Sequence, residues 1–106
     1  NDMAQKEWIK REDDGYEVEL ETGQKAWLEK INDRQNHYIL RWSMDCHSYA
    51  KYIMAQSEEN AIWQATLEIY NKCIEMVNAY HKIRDGLPDI RKLYREACEK
   101  EGDEGI

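Results

Sequence analysis

The chain has no phenylalanine, a single proline and only five glycines among 106 residues. Little proline and glycine argues against a linker-rich or low-complexity chain and for one built of regular elements. No apolar run approaches the ~20 residues that span a membrane. Three cysteines, Cys46, Cys73 and Cys98, are odd in number, widely spaced and without a CxxC pair. That pattern excludes the even, dense framework of a secreted disulfide scaffold, and the thiols are expected to be reduced and metal-free. The start, Asn1-Asp2-Met3, has neither a basic region nor an apolar core of a signal peptide, so a cytoplasmic location is expected. Excess positive charge is also lacking. A net charge of −7 disfavours a nonspecific nucleic-acid binder and an anionic membrane surface as partner.

What the chain does have is a change of rhythm at Ser57. Before it, apolar residues alternate with polar ones, as in half-buried strands; after it, they recur every three or four residues, as on a helix. A first strand is expected within Glu7 to Arg11, ending in the turn sequence Asp13-Asp14-Gly15. Tyr16 to Glu21 alternates cleanly, with Tyr16, Val18 and Leu20 on one face and Glu17, Glu19 and Glu21 on the other. Lys25 to Ile31 and His37 to Met44 follow, separated by a polar loop at Asn32 to Asn36, and Asp45 to His47 turns the chain again. Ser48 to Ala55 reads as a fifth strand, although Tyr49, Tyr52 and Ile53 also fit helical spacing. The connections are short, so the strands should pair in order as an antiparallel meander.

Ser57 is a good N-cap, with Glu58 and Glu59 in the first turn. The helix should run to about Arg84 and stop at Asp85-Gly86. It carries two adjacent stripes. One is Ile62, Thr66, Ile69, Cys73, Met76, Tyr80 and Ile83; the other is Trp63, Leu67, Tyr70, Ile74 and Val77. Trp63, Leu67 and Ile69 are expected to be buried against the sheet. A helix of about 27 residues spans roughly 40 Å, against about 20–27 Å for strands of this length, so it should overhang the sheet. Pro88 suits the first position of a second helix whose stripe is Ile90, Leu93, Tyr94, Ala97 and Cys98. A short connector then implies an αα-hairpin that covers the overhang.

The expected fold is therefore α+β: an antiparallel meander of four to five strands packed on one long helix, followed by a short second helix forming an αα-hairpin. A single domain over 1–106 is expected, with the meander at 7–55, the helices at 57–84 and 88–100, and a frayed tail at 101–106.

Chemistry-bearing constellations are thin. His37 and the Cys46-His47 corner could meet across a hairpin, but no paired zinc spacing exists, and no cofactor or metal is expected. Adjacent residues of a strand face opposite ways, so Cys46 and His47 make a poor catalytic pair. The glycines form neither GxGxxG nor GxxxxGK[ST]. One local feature stands out: from Glu12 to Glu21 there are six acids (Glu12, Asp13, Asp14, Glu17, Glu19, Glu21) and no base. Such a face is either solvated or presents phosphate-like charge to a basic groove. The plan of a short meander before a helix that opens Ser57-Glu58-Glu59-Asn60-Ala61 is similar to that of many small bacterial and phage proteins, including HicB-type antitoxins. The characteristic residues of that family are absent, and no site carries over.

The function expected is a small non-enzymatic protein–protein interaction module of bacterial or phage type, binding a protein partner and neither nucleic acid nor membrane directly. Its apolar surplus suggests a homodimer, with Tyr80, Ile83, Leu93 and Tyr94 as the candidate dimer edge. The alternative is an acidic nucleic-acid mimic that inhibits a nucleic-acid-binding enzyme through Glu12, Asp13, Asp14, Glu17, Glu19 and Glu21. A small enzyme of unrecognised type is third.

Overall fold

A computed structural model of the chain describes residues 6–31, 35–44 and 46–104, with side chains to residue 101. Asn1-Asp2-Met3, most of the expected loop at Asn32 to Asn36, Asp45 of the following turn, and residues 105–106 of the expected tail lie outside the described residues. The fold is α+β, and the chain forms two compact units, Asn1–Asn71 and Lys72–Ile106.

The first unit holds a five-stranded antiparallel meander in the order β1-β2-β3-β4-β5. Its strands are β1 (Ile9–Lys10), β2 (Tyr16–Glu19), β3 (Lys25–Lys30), β4 (His37–Met44) and β5 (His47–Met54). The fifth segment is a strand paired with β4 along its whole length, from His37↔Met54 to Met44↔His47. The β1–β2 turn closes through the Arg11 N–H donating to the Gly15 carbonyl at 2.8 Å and the Asp14 N–H donating to the Arg11 carbonyl at 3.2 Å. Asp14 takes the left-handed conformation there, at φ 65°, which a short polar side chain tolerates. Gly15 is needed for a different reason. A Cβ at that position would lie 2.7 Å from the Leu28 carbonyl oxygen of β3.

The alternation seen in the sequence becomes the core. Tyr16, Val18, Ala26, Leu28, Tyr38, Leu40, Trp42 and Ile53 share one face of the sheet and are buried. From α1 (Glu58–Gly86), only Ala61 and Ala65 are buried, while Ile62 and Ile69 pack at the margin. Ser57 caps the helix as expected: its Oγ accepts from the Asn60 N–H at 3.1 Å, and Asn60 Oδ1 accepts in turn from the Gln56 N–H at 3.1 Å. This is the reciprocal logic of a capping box.

Contacts between helix and sheet are sparse. They consist of the two alanines, their margin, and a few polar ties. Trp8 Nε1 donates to Thr66 Oγ1 at 3.0 Å, and Gln64 Nε2 to the Met54 carbonyl at 3.0 Å. Lys10 pairs with Glu58 at 3.4 Å, and Lys51 with Glu68 at 3.7 Å. The contact face is thus Glu58, Ala61, Ala65 and Glu68, at helical spacing. This corrects the expected burial of Trp63 and Leu67, which are 61% and 39% exposed; Ile69 is half-buried. The reason is volume. Tyr16, Tyr38, Leu40 and Trp42 already fill the sheet's inner face, leaving room for methyl groups under the helix. Residues two positions on, such as Trp63 after Ala61, point about 200° away.

In the second unit the expected αα-hairpin is not formed. α2 (Ile90–Glu104) follows α1 through a bend of 39°. Pro88 has no N–H, and its ring excludes the carbonyl four residues back, which belongs to Arg84. That carbonyl accepts from the Leu87 N–H at 3.2 Å instead. Asp89, and not Pro88, begins the new helix: its Oδ1 accepts from the Arg91 N–H at 2.9 Å and the Lys92 N–H at 3.4 Å. The chain is therefore interrupted and recapped within three residues, which bends the path without reversing it. Helix α2 also continues past Lys100 to Glu104, through part of the segment expected to fray.

Candidate interaction surfaces

The six acids of the Glu12 to Glu21 stretch do not form one uninterrupted anionic patch. Glu12, Asp13 and Asp14 lie in the β1–β2 turn, Glu17 and Glu19 on β2, and Glu21 in the turn to β3. Bases distant in sequence are interleaved among them. Arg11 meets Asp13 at 3.2 Å, Lys25 meets Glu17 at 2.8 Å, and Lys6 meets Glu21 at 3.9 Å. The Lys25 ammonium is held above its usual pKa by its hydrogen bond and charge contact with Glu17, with Glu19 adding to the effect. Half of the run's charge is thus locally compensated by partners that no linear reading pairs with it.

The outer face of the sheet carries a second feature. Register places Glu17, Trp27, Arg41 and Ala50 side by side across β2 to β5. Trp27 is 36% exposed, and Arg41 reaches Glu29 at 3.5 Å. Trp27, Glu29, Arg41 and Ala50, with Arg11, Ser43 and Ser48, line an open depression of about 640 Å³. The sequence showed that Trp27 and Leu28 face opposite ways. It did not show that Trp27 would stand beside Arg41, because that neighbour depends on the β3–β4 register.

Near the N-terminus of α1, Tyr16 and Tyr38 are buried close to Glu58. Burial, and secondarily the Glu58 carboxylate, raises both phenol pKa values. Lys10 is likewise raised by its hydrogen bond to Glu58. This cluster anchors the helix start to the sheet.

Sulfur and imidazole groups are dispersed. Cys46, Cys73 and Cys98 are all exposed. His37 pairs through Nδ1 with the Tyr52 hydroxyl. It lies at the opposite end of the β4–β5 hairpin from Cys46 and His47, about seven residues or ~23 Å along the strand, so His37 does not meet the Cys46-His47 corner. Among the described residues no group of three or more His, Cys, Asp or Glu could hold a metal ion. No described helix is long and apolar enough to cross a membrane.

Among the described residues, most of the exposed large apolar side chains are on the helices. In the first unit Trp63, Thr66, Leu67 and Tyr70 line a shallow cavity of about 150 Å³, and Tyr70 is 62% exposed. In the second unit no described residue is buried. Ile74, Val77, Tyr80, Ile83, Leu87, Ile90, Leu93 and Tyr94 are exposed there, from 45% at Ile74 to 75% at Ile90. The four residues expected at a dimer edge, Tyr80, Ile83, Leu93 and Tyr94, all belong to this surface. No protein family, no curated protein and no solved structure matches the chain.

Proposed function

We propose that this chain is a non-enzymatic protein–protein interaction module whose partner docks on the apolar face of its helices. One observation carries the reading: the run of exposed aliphatic and aromatic side chains from Ile74 to Tyr94. Single exposed apolar residues are ordinary on a soluble protein, but a contiguous surface of this extent marks an interaction site. The five-stranded sheet supplies a fold with its own core, so the helices are available as a recognition element. An amphipathic helix presenting residues at i, i+3, i+4 and i+7 is a common way for proteins to meet.

The acidic-mimic alternative is less well supported, because Asp13, Glu17 and Glu21 each have a basic neighbour within 4 Å. The two readings differ in their response to salt. Apolar docking persists at about 1 M salt, where the Debye length is only about 3 Å and charge mimicry is lost. The test is comparative capture from cells with the purified chain as bait. The protein retained should persist in high salt, survive Glu17→Gln with Glu19→Gln, and be lost with Val77→Glu. Retention that follows the acidic substitutions instead would overturn the reading.

A further inference from the structure

We propose that the apolar face of the second unit is covered by a second copy of this chain, the two faces packing together as a two-fold dimer. This rests on the interaction reading above and names its partner. The spacing is the first argument. Tyr80, Ile83, Leu87, Ile90 and Tyr94 follow one another at intervals of 3, 4, 3 and 4, the repeat that lets two helices interlock side chains along a seam. The spacing continues in sequence across residues 87–89, which belong to neither helix. These five are between 53% and 75% exposed, with Val77 and Leu93 beside them at 49% and 50%.

Area is the second argument. At roughly 150–250 Å² for a whole large side chain, these exposures leave on the order of 800 Å² of surface at the seven residues. That matches the share of one partner in an interface of standard size. Such a surface exceeds the largest apolar patch of a typical monomer, about 300–600 Å².

Charge is the third. Residues 72–106 hold seven Lys and Arg against eight Asp and Glu, a net of −1, whereas the whole chain is −7 and residues 1–71 therefore −6. The acidic remainder repels its own kind. The helical unit is close to neutral, so two copies can meet there with little like-charge cost. Arg84, beside the seam, is already engaged by Asp85 at 3.0 Å. A self-complementary patch of this kind needs no second surface, which is why two-fold dimers are the commonest assembly.

Sedimentation velocity on the full chain, from low to high micromolar concentration, tests this. Native protein should shift from 12.7 kDa to twice that mass. Ile83→Glu with Ile90→Glu should weaken association by at least about 100-fold, since two central apolar contacts are lost. Ile83→Leu with Ile90→Leu should leave the dimer in place. Intrinsic tryptophan fluorescence, to which Trp8, Trp27 and Trp42 of the first unit contribute, checks that each variant retains its sheet. A 12.7 kDa species at every concentration, or a dimer untouched by the glutamate pair, would overturn the proposal. A monomer that still captures a different protein through this face would overturn the second-copy assignment while leaving the interaction reading standing.

Discussion

Leu40→Ala measures how much of this protein's stability resides in the sheet, and its comparison with Leu67→Ala measures which side of α1 is structural. Leu40 sits in the middle of β4, fully buried, directly opposite Leu28 on β3 and between Tyr38 and Trp42 on its own face. All of these neighbours belong to paired strands, so the site cannot collapse around a missing isobutyl group. A truncation there should cost about 2–5 kcal/mol, the transfer loss plus the cavity left behind. For a domain of this size about 3 kcal/mol corresponds to a fall in Tm of about 12–24 °C. Leu67 is 39% exposed on the side of α1 away from Ala61 and Ala65. Its truncation, measured at low micromolar protein, should cost below about 1 kcal/mol, because it leaves a dent open to water and no closed cavity. Urea unfolding followed by intrinsic tryptophan fluorescence gives both values. A loss below 1 kcal/mol for Leu40→Ala, or a larger loss at Leu67 than at Leu40, would refute this account of the core.

Three further outcomes are expected. Tyr16, Tyr38, Lys10 and Lys25 all have pKa values raised above 10.0 or 10.5. The folded state therefore keeps protons that the unfolded state releases, so stability is full below about pH 10 and declines above it; a urea midpoint that holds or rises between about pH 8 and pH 11 would contradict this. Gly15→Ala should destabilise by about 1–3 kcal/mol in thermal unfolding, since its methyl would press on the Leu28 carbonyl, and a neutral result would show that β2 and β3 can part at no cost. Pro88→Ala restores a backbone N–H and a strong helix former. It should raise the far-ultraviolet helical signal as residues 87–89 join α1 to α2, and an unchanged spectrum would assign the bend to Asp89 capping rather than to proline.

The strands and the helix start were legible because each rests on local chemistry. Alternation at Tyr16, Val18 and at Tyr38, Leu40, Trp42 reports a half-buried strand directly, and Ser57 caps with its own hydroxyl. His37 to Met44 was delimited to the residue. What failed depends on contacts between elements. Helical periodicity said that α1 has apolar stripes but not which one meets the sheet. The deciding residues, Ala61 and Ala65, are small and carry little hydropathy signal. Their i, i+4 spacing beneath a sheet already filled by Tyr, Trp and Leu was the available clue. The hairpin failed for a similar reason. Gly86-Leu87-Pro88 punctuates a helix in either geometry, and the rejoining of the chain is set by Asp89 capping immediately afterwards. At the surfaces, the acidic run was visible, but its neutralisation by Arg11, Lys25 and Lys6 required the fold. Tyr80, Ile83, Leu93 and Tyr94 were legible as apolar helix positions, and they are exposed because α2 does not fold back along α1 as the expected hairpin.

Amide hydrogen exchange over residues 72–101 tests most directly whether the exposed helical face is an assembly surface. The native chain would be compared at low and high micromolar concentration, and again in extract of its native cell. An unassembled helix with no buried residue opens easily, and its amides exchange fast. Packing against a partner ties opening to dissociation. The account predicts that exchange at Val77 to Tyr94 slows with concentration or with extract, while the amides of β2 to β4 keep the rates they show when dilute. Exchange at 77–94 that stays fast and identical under all three conditions would contradict it.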